Sequence, residues 1–201
     1  MKILLLTIIF LVSLSMFSQE DYQLNIDGKT TPIALDTPYQ IKVGKKMIDV
    51  TLSIRDTLTY SDSFLQFSYP NSYKVSEMEL EQGITQKVLM TAEGSGFMVQ
   101  EYTNLDPSMM QELLLKEVTK ESKEYGYTEK REDYERTVRS GQTLKVLRSV
   151  LTYKDDIAIY EISSFSKKDE GLLLMTIDMN VSENGPGKRL INMIWDSIEF
   201  K

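Results

Sequence analysis

Apolar and polar residues alternate along much of this chain, and the alternation predicts strands. Tyr22, Leu24 and Ile26 alternate with polar residues up to Asp27-Gly28, a tight-turn signal. Ile33 and Leu35 follow, and Asp36-Thr37-Pro38 breaks the pattern. Tyr39, Ile41 and Val43 alternate again as far as Gly44-Lys45. Ile48, Val50, Leu52 and Ile54 then recur at every second position, with Asp49, Thr51 and Ser53 between them. Residues 19–63 thus read as a small β-hairpin unit with one side to bury. About four short strands cannot bury it alone, so the unit is expected to pack on the rest of the chain. The polar, β-tolerant stretch 57–63 marks the boundary.

Beyond it, strands are predicted over 64–69, 73–80, 84–92 and 97–102, separated by Pro70-Asn71, Gln82-Gly83 and Glu93-Gly94-Ser95-Gly96. Asp106-Pro107 is a helix start, with Asp at the N-cap and Pro in the first turn. Met110, Leu114 and Val118 share a face of that helix, Leu113 lies beside them, and Glu112 and Lys116 are spaced to support each other. Gly126 ends it. Three long strands come next, over 144–153, 157–165 and 172–179. In a strand with one wet face only alternate residues are apolar. Here Leu144, Val146 and Val150 point one way while Leu147, Leu151 and Tyr153 point the other; Leu172 and Leu174 oppose Leu173, Met175 and Ile177. Both faces are expected to be covered, by helices or by the N-terminal unit, and the short connections make neighbours antiparallel. Leu190, Ile191, Ile194 and Trp195 predict a second helix from near Pro186 to near Asp196, and the tail 197–200 is expected to return to a sheet edge.

Four features in this order resemble one known group. They are Phe67-Ser68-Tyr69-Pro70 opening the domain, the helix after Asp106-Pro107-Ser108, the β meander from Tyr134 to Met179, and the last helix running into Asp196-Ser197-Ile198-Glu199-Phe200. Residues 64–200 resemble the PsbP-like superfamily. It includes the photosystem oxygen-evolving subunit, a Ran-GTPase-binding factor and many bacterial exported or chaperone-type domains. The resemblance implies an α+β fold, an αβα sandwich around an antiparallel sheet spanning 64–201, used as a binding or assembly module. It transfers no catalytic residue, and it leaves residues 19–63 outside.

Composition adds compartment and exclusions. Lys2, the apolar run Ile3 to Val12 and the small Ser18 read as a signal peptide over 1–18, cleaved before Gln19. Export to the periplasm or beyond follows, without stable membrane anchoring, because the run is short for a span. The chain has no cysteine, so no disulfide framework is possible, and no histidine, the commonest general base. Its formal net charge is −7, or −8 once Lys2 leaves with the signal. An acidic surface repels phosphate backbones, which disfavours nucleic acid.

Several motifs carry chemistry in other settings. Gly185-Pro186-Gly187-Lys188 resembles the end of a phosphate loop, but Ser182 and Arg189 stand where Gly and Ser or Thr are needed, so it reads as a turn into the last helix. Asp178, Asn180, Ser182 and Asn184 alternate like a calcium loop, yet Glu183 and Arg189 replace the required Gly and Glu. Ser164 and Lys167 have the serine acyl-enzyme spacing on a strand, where such side chains diverge. Glu77, Glu79 and Glu81 read as a solvated face, and Met90, Met98, Met109, Met110, Met175, Met179 and Met193 as core filling. No metal or cofactor is expected.

The sequence therefore favours an exported, non-enzymatic factor that recognises a protein partner. The turn tips Asp155-Asp156 and Lys168-Asp169-Glu170 are the expected contact residues, since loops on a rigid sheet often carry recognition. Two alternatives stand beside it. One is a carrier of a small apolar ligand in a methionine-rich pocket between sheet and helix. The other is a hydrolase using carboxylates or the Ser/Lys pair.

Overall fold

The computed structural model describes residues 22–179, 181–182 and 185–201; the expected signal segment lies outside them, as do Asn180, Glu183 and Asn184 of the calcium-like pattern. The chain divides between Arg55 and Asp56. The first unit is two hairpins, β1 (Tyr22–Ile26) with β2 (Lys29–Ile33), and β3 (Tyr39–Val43) with β4 (Lys46–Val50). Asp27 and Gly28 both take positive φ, as a two-residue primed turn requires. The alternation at 48–54 does not run as one strand. It ends at Val50, and Leu52 makes a single parallel bridge to Leu35, while the Ser53 hydroxyl donates to Asp36 at 2.6 Å.

The boundary expected at 57–63 falls earlier. β5 (Thr57–Ser61) pairs along its length with β6 (Leu65–Pro70), and β15 (Glu199–Phe200) adds to the other side of β6. Leu58 and Tyr60 alternate with Thr57, Thr59 and Ser61, so this polar-looking stretch is a half-covered strand. The tail thus returns to a sheet edge, as its sequence predicts, and the sheet it joins is this small three-stranded one.

The main sheet is antiparallel throughout. Its strands are β7 (Ser76–Glu81), β8 (Ile84–Met90), β9 (Gly96–Tyr102), β10 (Thr128–Arg131), β11 (Tyr134–Thr137), β12 (Thr143–Tyr153), β13 (Asp156–Lys167) and β14 (Glu170–Met179). They lie in the order β10-β12-β13-β14-β9-β8-β7, and β11 also pairs with β12. Both faces of the central strands are covered. Leu147, Leu151, Ala158, Tyr160, Ile162, Leu173 and Met175 pack with Leu115 of α1 (Gln111–Tyr125). On the other face Leu144, Leu172, Leu174, Phe97 and Val99 pack with Leu190, Ile194 and Trp195 of α2 (Pro186–Ser197) and with Leu65, Phe67 and Phe200 of the small sheet. The covers are the two helices and a sheet made by strands at opposite ends of this unit.

Three local expectations are corrected. The first helix opens with a 3-10 turn, Pro107–Met110, capped by the Asp106 carboxylate on the Ser108 N–H at 2.8 Å. The buried stripe of α1 is centred on Leu115 and Thr119, with Met110, Leu114 and Val118 along its side; Leu113 is 58% exposed. Thr119 is tolerated there because its hydroxyl donates back to the Leu115 carbonyl at 2.7 Å. Glu112 does not meet Lys116 but reaches Arg131 of β10, at 3.2 Å. Gly126 caps the helix at φ +113, as expected of a left-handed C′ residue. At the start of α2, Gly187 lets the helix press on the turn that leads into β9, since a Cβ there would lie 2.3 Å from the Ser95 Cβ.

Where the small sheet meets β8 and β9, three charges are buried together. The Lys87 ammonium lies 3.1 Å from Asp62 Oδ2 and in contact with Glu101 Oε2. Burial and the neighbouring Asp62 raise Glu101 to about 7 against the pull of Lys87. Burial would raise Asp62 as well, but the Leu65 and Phe64 N–H groups, with Lys87, hold it down to about 2. Because the Glu101 pKa is higher in the folded than in the unfolded chain, its contribution is complete below about 4.5 and is lost as pH rises through about 7. Asp62 has the opposite sign: its contribution is complete above about 3.8 and is lost as pH falls through about 2. Glu101→Gln is therefore expected to remove the decline in stability between about pH 4.5 and 7, read as urea midpoints across that range.

Candidate functional site

The expected contact residues sit at opposite ends of one strand. Lys154 and Asp155 form the two-residue turn between β12 and β13, with Lys154 at φ +54 and Tyr153 paired to Asp156 across it. Lys168 and Asp169 form the turn between β13 and β14, with Lys167 paired to Glu170. The 12 residues of β13 separate the two tips by roughly 36 Å at about 3.3 Å per residue. No single flat contact takes in both. Asp155 and Asp156 are exposed at one end; Lys168 and Asp169 are exposed and Glu170 half-buried at the other.

Beside Asp155 and Asp156 the fold assembles three tyrosines. Tyr125 ends α1, Tyr127 follows the Gly126 cap, and Tyr153 ends β12. The Tyr125 and Tyr153 rings meet edge to face at 5.4 Å, Tyr127 and Tyr153 at 5.4 Å, and Tyr125 and Tyr127 at 6.2 Å. The Tyr127 hydroxyl donates to Asp156, and that bond first, with burial second, pushes its phenol up to about 12. Lys154 lies over the Tyr153 ring at 5.0 Å. Tyr125 is 71% exposed. An aromatic side chain left this open, but held on two sides by other rings, presents a pre-ordered apolar surface with a polar tip. The partner reading of the sequence named Asp155 and Asp156 here, and Lys168, Asp169 and Glu170 at the far tip, but none of the tyrosines. The available signal was Tyr125-Gly126-Tyr127, two tyrosines flanking a helix stop, although nothing local placed Tyr153 against them.

A second feature is concave. Under the solvent side of α2 a cleft of about 240 Å³ is lined by Tyr134, Arg136, Arg148, Glu161, Asp178, Lys188 and Trp195, among others. Glu161 is its buried acid, and both oxygens are occupied. Oε1 accepts from the Tyr134 hydroxyl at 3.0 Å and from Arg148 at 2.7 Å, and Oε2 accepts from Thr176 at 3.1 Å. Burial and then Glu161 push the Tyr134 phenol up, which keeps it a neutral donor. Burial likewise pushes Asp178 up. Arg136 reaches Asp196 at 2.8 Å and lies over the Trp195 ring at 5.1 Å.

The other candidate motifs are distributed without convergence. Ser164 points to the α1 side of β13 and accepts from Gln111, while Lys167 projects from the opposite face and donates to the Lys201 carbonyl. Glu77, Glu79 and Glu81 are exposed on the edge strand β7. Met98, Met110 and Met175 pack under α1, but Met109 is 91% exposed, so core filling does not describe every methionine. Gly185 and Pro186 open α2 as a turn. Among the described residues no group of three acidic side chains is arranged to hold a metal ion, and no helix is long and apolar enough to cross a membrane.

The class these observations define is an α+β domain, a two-sided antiparallel sheet with helices packed on it. No family model and no curated protein sequence matches the chain. Among solved structures, the chain is similar to the solution structure of cyanobacterial PsbP (CyanoP) from Synechocystis sp. PCC 6803. The identity is 14%, the TM-score 0.49, and the match covers 74% of this chain and 94% of that one.

Proposed function

We propose that this chain is an exported, non-enzymatic binding factor that recognises a protein partner through the tyrosine corner and the acidic turn beside it. The observation that carries the reading is the exposed Tyr125 ring, held against Tyr153 and Tyr127 next to Asp155 and Asp156. Tyrosines are favoured as binding hot spots because they supply large area at small entropic cost. The partner segment is basic: the two turn carboxylates and the exposed Tyr125 ring attract Lys and Arg, and the formal charge of −8 that remains once Lys2 leaves (−7 − 1) steers a cation toward them. Lys168, Asp169 and Glu170 form a separate contact at the far end of the sheet in this reading.

The test is crosslinked capture from the exported fraction with the protein starting at Gln19. A captured partner should be lost with Tyr125→Ala, whose binding falls by roughly thirtyfold if the ring is a hot spot of about 2 kcal/mol. It should be weakened by Asp155→Asn with Asp156→Asn and by added salt, while the thermal midpoint of Tyr125→Ala falls by no more than about 4 °C, the share of its ring contacts with Tyr153 and Tyr127. Undiminished capture by Tyr125→Ala would refute the proposal.

A further inference from the structure

We infer that the uncovered half of the main sheet, on the face that carries α1, docks a basic amphipathic helix of a protein partner. The opposite face is closed by α2 and the small sheet, but α1 packs mainly on β12 and β13. Cross-strand pairing puts Met78, Val88, Met90, Met98, Ile177 and Met179 on the α1 face of β7, β8, β9 and β14. Met78 is 48% and Met179 36% exposed, and the other four are half-buried. A continuous apolar patch with a polar rim marks an interaction surface, and methionine adapts its shape to what it meets. The polar side chains within the patch are matched to one another. The Tyr102 hydroxyl donates to Gln100 at 2.7 Å, and the Gln100 amide donates to Gln86 at 2.9 Å. Covering these groups therefore strands neither acceptor.

Width selects a helix. The four strands from β14 to β7 span roughly 14 Å at about 4.8 Å per step, room for one helix of about 10–12 Å lying beside α1. Charge selects its sign. Glu112 reaches Arg131 and Lys123 reaches Glu129, so that side of α1 faces β10. At about 3.6 residues per turn Lys116 falls on the β10 side too, while Leu114, Val118 and Glu121 fall on the other, toward the open strands. Glu117, one turn before Glu121, extends this acidic wall. Glu81, paired with Ile84, stands at the far rim. The four open strands place no Lys or Arg on this face. A second copy or an anionic lipid surface would set acid against acid. An apolar stripe flanked by Lys or Arg matches both the floor and the rims. The inference does not rest on the tyrosine corner.

The experiment titrates the protein from Gln19, with 13C-labelled methionine methyls, with the acetylated and amidated peptide LKKLLKLLKKLLKL and with its acidic counterpart LEELLELLEELLEL. The Met78, Met90 and Met98 methyl peaks should shift saturably with the basic peptide, and Met193, on α2, should stay in place. The acidic peptide should bind about tenfold more weakly or worse. Glu117→Lys with Glu121→Lys, both at exposed positions, should weaken the basic peptide about tenfold without loss of the helical circular dichroism. Val88→Lys should abolish the shifts; if that half-buried change unfolds the chain, the exposed pair carries the test. Unmoved methyl peaks, shifts that reach Met193, equal affinity for the two peptides, or full affinity in the Glu117 and Glu121 variant overturns the inference. The same methyl shifts on phosphatidylcholine vesicles would overturn it in favour of a lipid surface, and shifts that grow with protein concentration alone in favour of a second copy. Capture tested by Tyr125→Ala and this titration read different residues, so either reading can fail without the other.

Discussion

Replacing Lys87 by alanine is expected to destabilise the fold by about 3–5 kcal/mol, the cost of breaking a buried ion pair from one side. Lys87 is 3% exposed and stands between Asp62 and Glu101. Without it two carboxylates face each other in a place that water scarcely reaches. Glu101 can escape by holding its proton, toward which burial already biases it. Asp62 resists the same escape, because its Oδ1 accepts the Phe64 and Leu65 N–H bonds, at 2.8 and 2.9 Å, which favour the ionised form and shape the turn between β5 and β6. The measurement is the urea midpoint and slope of wild type and variant. A double change, Lys87→Met with Glu101→Gln, should recover most of the loss, because replacing a buried ion pair by neutral groups of similar volume is often close to neutral. A loss below about 1 kcal/mol in Lys87→Ala, typical of a surface pair, would show the cluster to be solvated.

Trp195→Ala is expected to cost a further 3–5 kcal/mol or so, the range for emptying a large aromatic site. The ring is fully buried and is shared by α2, the strand face of Leu144 and Leu174, and the Arg136 guanidinium above it. Its removal also forfeits the cation–π contact, about 0.5–1 kcal/mol. The protein loses its only tryptophan, so unfolding has to be followed by circular dichroism. Trp195→Phe, which keeps most of the apolar contact, should lie well above the alanine variant in midpoint. Equal midpoints for the two would mean that α2 collapses onto the vacated site instead of leaving a cavity.

Much of the sheet was legible because its signals are local. Asp27-Gly28, Lys154-Asp155 and Lys168-Asp169 mark turns that the structure contains, and the double-sided apolar runs of β12 and β14 announce burial on both faces. Gly126 stops a helix because only its backbone takes φ +113 without strain. The errors fall where a partner outside the segment decides. Thr57–Ser61 looks like a polar linker until β6 covers one side of it. Leu113 looks like core until the sheet selects the Leu115 side of α1. Glu112 takes Arg131, which is nearer in space than Lys116 is favourable in sequence.

The candidate sites were less legible than the fold. The turn residues could be listed from the sequence, but their separation by the whole length of β13 could not. The tyrosine corner joins a helix end to a strand end that are 28 residues apart (125 and 153), and the cleft joins β11, β12, β13, β14 and α2.

By itself the sequence determined strand and helix periods, most turns, the acidic charge and the lack of histidine and cysteine, because each is a property of neighbouring residues or of composition alone. Only the tertiary structure decided which cover lies on which face of the sheet, that Lys87 stands between Asp62 and Glu101, and that Tyr125, Tyr127 and Tyr153 meet at one corner. Those outcomes depend on strand order and on the register between segments far apart in the chain, and the free energy that selects them exists only once the surfaces meet.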